Sequence, residues 1–360
     1  VTMRVALLTY STKPRGGVVH TLNLAEALAH RGVDVTVWSL ARAGDRGFFR
    51  AVDPAVTVKL VEFIDLPGDT VTDRIVRSIA TLRDAFSAND FDIVHAQDCI
   101  SANAVGRCIR TIHHLDQFTT PVLAECHERA IVEPYARICV SRAVADEVCA
   151  GWGLAPTVIP NGVQAQRFID ASDDTAAQEQ WRSDLGRYVL AVGGIEPRKG
   201  TVDLVGAMAV LREHEPAVSL VIAGGETLFD YREYRSAFDE RCAEVGVAPV
   251  ILGTVENDAL PSLVAACEVF AFPSTKEGFG LAAMEALAAG RPVVARDLPV
   301  LREVFGDSVA YASTPADFAA RLREAIAAPP DPARGRALAS SMTWDAAAAA
   351  HIEFYRRAAS

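Results

Sequence analysis

The chain has 360 residues, half of them hydrophobic and 22% charged, with a formal net charge of −11. At about 150 residues per domain this length suggests two globular domains with full cores, not a disordered chain. The acidic balance argues against nucleic-acid binding by bulk electrostatics, and no apolar run reaches the roughly 18 residues of a membrane span.

Short β-branched runs alternate with longer helical runs, the pattern of an α/β protein with parallel sheets. The opening VTMRVALLTY reads as a strand, RVALLT from Arg4, and not as a signal peptide. A loop with Gly16-Gly17 follows, then an amphipathic helix over Val18–Arg31 stopped by Gly32. Strands are predicted at VDVTVWS from Val33, FDIVHA from Phe91, RTIHH from Arg110, ARICVS from Ala136 and TVIPNGV from Thr157. The segment Asp73–Phe86 is the candidate for a membrane-surface helix, but its Arg residues are interleaved with Asp and read better as a solvated face.

Gln164 to Arg187 is polar and carries no strand signal, so a break is placed there. The α/β pattern then restarts with YVLAVGG, VSLVIAGG, PVILGTV, EVFAFPS, RPVVAR and SVAYAS. APPDPARG, from Ala328 to Gly335, is a Pro-rich breaker, and a last helix follows with Thr343 as its N-cap. Most of the negative charge lies after residue 166. The seven Cys form no C-x-x-C pair and their number is odd, which predicts reduced thiols and a cytoplasmic location.

In an open parallel sheet, ligands bind beyond the carboxyl ends of the strands. After FAFPS comes Thr275 to Gly280, then a helix expected from Leu281. Gly278 and Gly280 let backbone N–H groups approach a ligand at the helix N-terminus. Glu277 in the loop and Glu285 one turn into the helix suit sugar hydroxyls; the plainer reading is a turn and an exposed helical Glu. GGIEPRKG, from Gly193, places Arg198 and Lys199 at a second strand end, where they suit a diphosphate. Alone, such a basic pair is more often solvated surface. Gly16-Gly17 lacks the full G-x-G-x-x-G fingerprint, and reads as a capping turn or an anion or sugar contact. His113-His114-Leu115-Asp116, with His95, Cys126 and His127, makes a metal site conceivable, but the spacing fits no standard ligand set. A polar substrate contact suits His113 better.

With Glu277-Gly-Phe-Gly-Leu and Glu285 in E-x7-E spacing, and GGIEPRKG, IAGGE (222–226), IPNGV (159–163) and TIHH (111–114) in order, the chain resembles the retaining glycosyltransferases of family 4 over nearly its whole length. The resemblance implies the GT-B architecture, an α/β fold of two Rossmann-like doubly wound domains facing across a cleft. Residues 1–166 would be the acceptor domain, rejoined by the helix 344–360, and 167–343 the nucleotide-sugar donor domain. By that resemblance Arg198 and Lys199 hold the donor diphosphate and Glu285 the ribose hydroxyls. Glu277, with the backbone of Gly278, Phe279 and Gly280, holds sugar hydroxyls. Leu281 N–H touches phosphate, Gly17 N–H lies near phosphate or acceptor, Val255 lies by the base, and His113 sits beside the transferred sugar.

Gly194 stands where many members carry Arg, while PRKG keeps Arg198 beside Lys199, so the departure leaves the division of phosphate contacts open but not the site. In line with the family's metal-independent members, no metal and no cofactor is expected beyond the nucleotide-diphosphate sugar, UDP- or GDP-linked, that serves as donor. The implied reaction is retaining transfer to an acceptor hydroxyl on a small molecule, glycan or lipid, by front-side attack with the leaving phosphate as base. Peripheral membrane contact is compatible with it. Two other readings share the architecture: a nucleotide-sugar 2-epimerase, which needs no acceptor, and a non-catalytic sugar-nucleotide binding protein.

Overall fold

The computed structural model describes residues 2–42, 44–118, 120–225 and 231–359. Glu226, the last residue of IAGGE, lies outside the described residues. Two compact units divide the chain. One runs to Gly162 and is rejoined from Thr343; the other spans Val163–Met342.

The first unit is built on seven strands: β1 (Arg4–Thr9), β2 (Asp34–Arg42), β3 (Thr57–Phe63), β4 (Ile93–Ala96), β5 (Ile109–Ile112), β6 (Ala136–Cys139) and β7 (Thr157–Val158). Their order is β3-β2-β1-β4-β5-β6-β7, and every pairing is parallel. β1 is apolar and buried from Val5 to Leu8, as a central strand with helices on both faces must be. The second unit has six strands: β8 (Arg187–Val192), β9 (Val218–Ala223), β10 (Val250–Gly253), β11 (Val269–Phe272), β12 (Val293–Arg296) and β13 (Ala310–Ala312). Their order, β10-β9-β8-β11-β12-β13, repeats the doubly wound pattern. The strand order reverses between β1 and β4 in one sheet and between β8 and β11 in the other. Loops at the carboxyl ends of those strands border the crevice where such sheets take ligands.

Three readings of the sequence need correction. TVKLVEF, absent from the strands predicted above, forms β3, an edge strand. Lys59 and Glu62 face water there, as edge strands favour, and the charges hide the strand signal. The polar stretch 164–187 is not a break. It forms the helices Ala165–Asp173 and Thr175–Leu185, with Asp174 capping the second by accepting from Ala177 N–H. Phe168 anchors the first in the core, so residues 163–166 go with the second unit. The Pro-rich breaker is also shorter than read, because the helix Ala333–Ser341 already includes Gly335.

The last helix, Trp344–Ala359, belongs to the first unit. Thr343 caps it by accepting from Ala346 N–H at 3.1 Å. Asp345 takes a bidentate bond from Arg31, and buried Tyr355 meets His95 Nδ1 at 2.7 Å. A Cβ on Gly162 would fall 2.3 Å from Trp344 N. Gly162→Ala should therefore push the helix start outward and cost about 1–3 kcal/mol. Gly16→Ala, with nothing near its Cβ position, serves as the control in thermal unfolding. A Gly162→Ala protein melting with wild type would show that this junction is slack.

Candidate active site

In the second unit, two strand–loop–helix connections meet. β8 leads through Gly193 to the turn Pro197–Lys199 and the helix Thr201–Arg212. β11 leads through Ser274 to the loop 275–280 and the helix Leu281–Ala288. The strands are neighbours, so the loops are too. Thr275 N–H donates to Arg198 O at 2.8 Å and ties them. Glycine is required at Gly200, with φ +63°, because a Cβ there would lie 2.2 Å from Pro273 O. It is also required at Gly280, with φ +94°, which starts the helix.

Arg198, Lys199 and Glu277 form one ion cluster. Lys199 Nζ donates to Glu277 Oε1 at 2.6 Å and Arg198 to the same oxygen at 3.1 Å. The other arm of Arg198 reaches Glu196 at 2.8 Å. Burial alone would raise the Glu277 carboxyl, but Lys199 and Arg198 outweigh it and hold it at about 2. Glu277 is thus the shared counter-ion of the basic pair, a part the sequence did not announce. The Lys199 stem runs along Gly193, where a Cβ would meet its Cε at 3.1 Å.

Phe279 is buried, and Gly278 and Gly280 are enclosed with it, while Leu281 opens the helix. Half-buried Glu285 lies one turn on. Burial lifts its carboxyl to about 7, against the pull of Arg167. Two glutamates of one loop–helix unit are therefore poised oppositely, one always charged and one titrating near neutrality. Val255 lies two residues past β10 and is half-buried.

In the first unit, His113 follows the last residue of β5. A Cβ on Gly17, in the first turn of the helix Gly16–His30, would lie 3.7 Å from the His113 ring. The structure therefore brings together Gly17 and His113, which are far apart in sequence. Burial, with His20 and Arg110 nearby, holds His113 neutral. His114 faces Asp116 instead, at 3.2 Å. Among the described residues no three His, Cys, Asp or Glu side chains are grouped to hold a metal ion. All seven cysteines are free thiols, and no helix among the described residues is long and apolar enough to cross a membrane.

Sequence reasoning missed three polar residues here. His20 is buried and packs edge-on against His113, with ring centroids 4.7 Å apart. Asn161 accepts from His20 at 2.8 Å. Gln97, just past β4, is buried, and neither end of its amide has a partner among the described residues. Asn161 lies in the quoted IPNGV, but its partner His20 is 141 positions away, and local sequence does not pair such residues.

A family model described as Glycosyltransferase Family 4 matches residues 14–167, and one described as Glycosyl transferases group 1 matches residues 173–339. The chain belongs to the family 4 glycosyltransferases. Among relatives of this glycosyltransferase, phosphatidyl-myo-inositol mannosyltransferase of Mycolicibacterium smegmatis is 28% identical, over 90% of this chain and 84% of the relative. D-inositol 3-phosphate glycosyltransferase of Salinispora tropica is 28% identical, over 85% of this chain and 73% of the relative. The structure of Anabaena HepE in complex with UDP and glucose matches with a TM-score of 0.76 at 19% identity, covering 98% of this chain and 99% of that one. Sucrose-phosphate synthase from Thermosynechococcus elongatus gives 0.78 at 19%, covering 99% and 98%. These likenesses establish the GT-B fold for both parallel-sheet units.

The ion cluster has a pH signature. The folded Glu277 value, about 2, lies below the ordinary 4.5. Its stabilisation is therefore present above pH 4.5 and is lost as pH falls toward 2. Glu277→Gln should destabilise the glycosyltransferase by about 1–3 kcal/mol at neutral pH, leaving two cations together. The melting-temperature gap to wild type should close in acid. A gap of the same size at pH 7 and at about pH 3 would sink this account of the cluster.

Proposed function

We propose that this glycosyltransferase moves a sugar from a nucleotide-diphosphate sugar, UDP- or GDP-linked, to an acceptor hydroxyl, with retention at the anomeric carbon and without a divalent metal. The observation that carries the reading is the Arg198–Lys199 pair, held against Glu277 beside the N-terminus of the helix Leu281–Ala288. Bond cleavage leaves a diphosphate, so the main chemical task is to stabilise its growing negative charge. Preorganised cations and backbone N–H groups at a helix start do so without reorganising at the moment of reaction.

In this reading the second unit, Val163–Met342, forms the donor domain. Arg198, Lys199, Gly278, Phe279, Gly280 and Leu281 N–H hold the diphosphate and sugar. When the diphosphate takes over the two cations, the Glu277 carboxylate turns to sugar hydroxyls. Glu285 accepts from the ribose, and Val255 lies by the base. The first unit, up to Gly162 and again from Thr343, forms the acceptor domain. There Gly17 N–H approaches phosphate or acceptor, and neutral His113 contacts a hydroxyl of the transferred sugar. The attacking hydroxyl approaches on the side of the departing diphosphate and gives its proton to a phosphate oxygen, so no side-chain nucleophile is needed. The acceptor is a small molecule, glycan or lipid hydroxyl, and the protein works in the cytoplasm or at the membrane surface.

Calorimetric titration tests the donor assignment. Glu285→Ala should weaken UDP or GDP binding about 10- to 100-fold, through lost ribose contacts. Glu277→Ala should spare the bare nucleotide more than the sugar-bearing donor. Equal losses of nucleotide affinity would sink the division of roles. The Glu285 value of about 7 adds a pH dependence. Ribose hydroxyls donate to the carboxylate, so binding favours its deprotonated form. Wild-type affinity should gain about tenfold between pH 6 and 8 relative to Glu285→Gln, which cancels the nucleotide's own titration. Parallel pH curves would remove Glu285 from the ribose.

Turnover should also persist in excess chelator. Loss of activity that added divalent metal restores would overturn the metal-free mechanism.

A further inference from the structure

β12 is an interior strand, and its residues Val293 to Ala295 are apolar and buried. It ends on Arg296, whose side chain is only 13% exposed. A guanidinium withdrawn from water is tolerated where acceptors meet its fork. Three do so here. Nε donates to Pro273 O at 2.8 Å, Nη2 donates to Asp203 Oδ2 at 2.6 Å, and Nη1 reaches Ser313 O at 3.3 Å. Register explains the first contact. Phe272 pairs with Ala295, so the next residues, Pro273 and Arg296, leave the sheet side by side. The guanidinium carbon also stands 5.6 Å from the centre of the Phe318 ring.

Two of these acceptors lie at the roots of the loops that carry the ion cluster. Pro273 is the first residue after β11, on the way to Glu277. Asp203 lies in the first turn of the helix Thr201–Arg212, which follows Lys199 and Gly200. Between the two sits Gly200, where a Cβ would fall 2.2 Å from Pro273 O and 3.2 Å from Arg296 Nη2. The turn that ends on Lys199 therefore rests directly on the Arg296–Pro273 contact. Charge adds to geometry. An unpaired carboxylate in that first turn would weaken the pull of the helix start on an anion, and Arg296 neutralises it.

We infer that Arg296 is a positioning residue for donor binding. It holds the Arg198–Lys199 loop against the Glu277 loop from the side of β12, and acts on the diphosphate only through them. The inference rests on the proposed diphosphate role of those cations and deepens it. No motif marks Arg296, which ends an apolar strand separated from β8 by β11.

Calorimetric titration of the full-length protein with UDP, GDP, UMP and GMP tests the inference. Arg296→Met keeps an unbranched stem and removes every donor. Affinity for the diphosphate that wild type binds should fall about tenfold or more, while the matching monophosphate should lose less than about threefold. Arg296→Lys keeps the charge beside Asp203 but not the fork that also holds Pro273 O. It should recover most of the melting temperature and still bind the diphosphate about fivefold more weakly than wild type. Hydrogen exchange is followed in the absence of nucleotide. In both variants residues 197–203 and 273–280, including the Thr275 N–H that donates to Arg198 O, should exchange faster, while β8 and β9 keep wild-type protection.

Equal losses for diphosphate and monophosphate, in step with the melting temperature, would make Arg296 a general support of the fold and overturn the inference. So would an Arg296→Lys protein with wild-type diphosphate affinity, or loops whose exchange is unchanged in both variants. A wild-type protein that binds neither UDP nor GDP would overturn the donor reading and the binding role with it, while the exchange data still decide whether Arg296 holds the two loops.

Discussion

The Glu277 carboxylate, 11% exposed and shared by Lys199 and Arg198, is the constraint around which the second unit's loops are arranged. Two cations on successive residues repel each other, and a loop that exposed them to water would hold neither in a fixed place. One carboxylate oxygen accepting from both keeps them together at the carboxyl edge of the sheet. Backbone geometry does the rest. Gly200 lets the chain turn against Pro273, Thr275 ties the second loop to Arg198 O, and Arg296 donates to Pro273 O at 2.8 Å. A well-held pair of cations is worth more to an incoming anion than a mobile pair, because ordering has already been done by the fold.

The first unit uses aromatic burial for the same purpose. His95 is fully enclosed and bonded on both nitrogens, to Tyr355 and Thr111 at 2.7 Å each. His351 donates to Ala347 O and stands 5.9 Å from His95. From the last helix inward the rings form a column, Tyr355, His95, His351, His20, that ends at His113. Burial keeps these imidazoles neutral, so the column is rigid without charge. The last helix is therefore more than a tail. Its side chains form the packing behind the residue that the motif singled out.

Much of this was legible in the sequence because parallel strands are short apolar runs ending in functional loops. β8, β9, β11 and β12 could be read from YVLAV, VSLVIA, VFAF and PVVA alone. Arg198, Lys199 and Glu277 could be picked out because each follows such a run beside glycine. β3 could not, because an edge strand is half polar and its period is masked by Lys59 and Glu62. The helices after Gln164 could not, because polar helices that bury a single Phe168 resemble a linker. Within the site, sequence order suggested which groups would be neighbours but not which would bond. That Glu277 pairs with both cations depends on the register of β8 against β11. That His20 touches His113 depends on how the first helix lies on its sheet. Neither is a property of local sequence.

The two glutamates of the E-x7-E spacing show how far environment, not residue type, decides chemistry. Glu277 and Glu285 are eight positions apart and both are enclosed, which by itself raises both carboxyls. Glu277 has two cations on one oxygen and falls to about 2; Glu285 has only the weaker pull of Arg167 and rises to about 7. A carboxylate locked to cations stays charged through the physiological range and releases its partners only to a stronger anion. A carboxyl balanced near neutrality changes protonation when a hydroxyl donor or a proton arrives. The acidic balance of the whole chain does not contradict an anion site here. With a screening length of about 8 Å in physiological salt, the many surface carboxylates are largely invisible to a group buried at the strand ends. In the proposed reading an arriving diphosphate would meet the local pair of cations and the start of the helix at Leu281, and their field is set within a few residues of the loop.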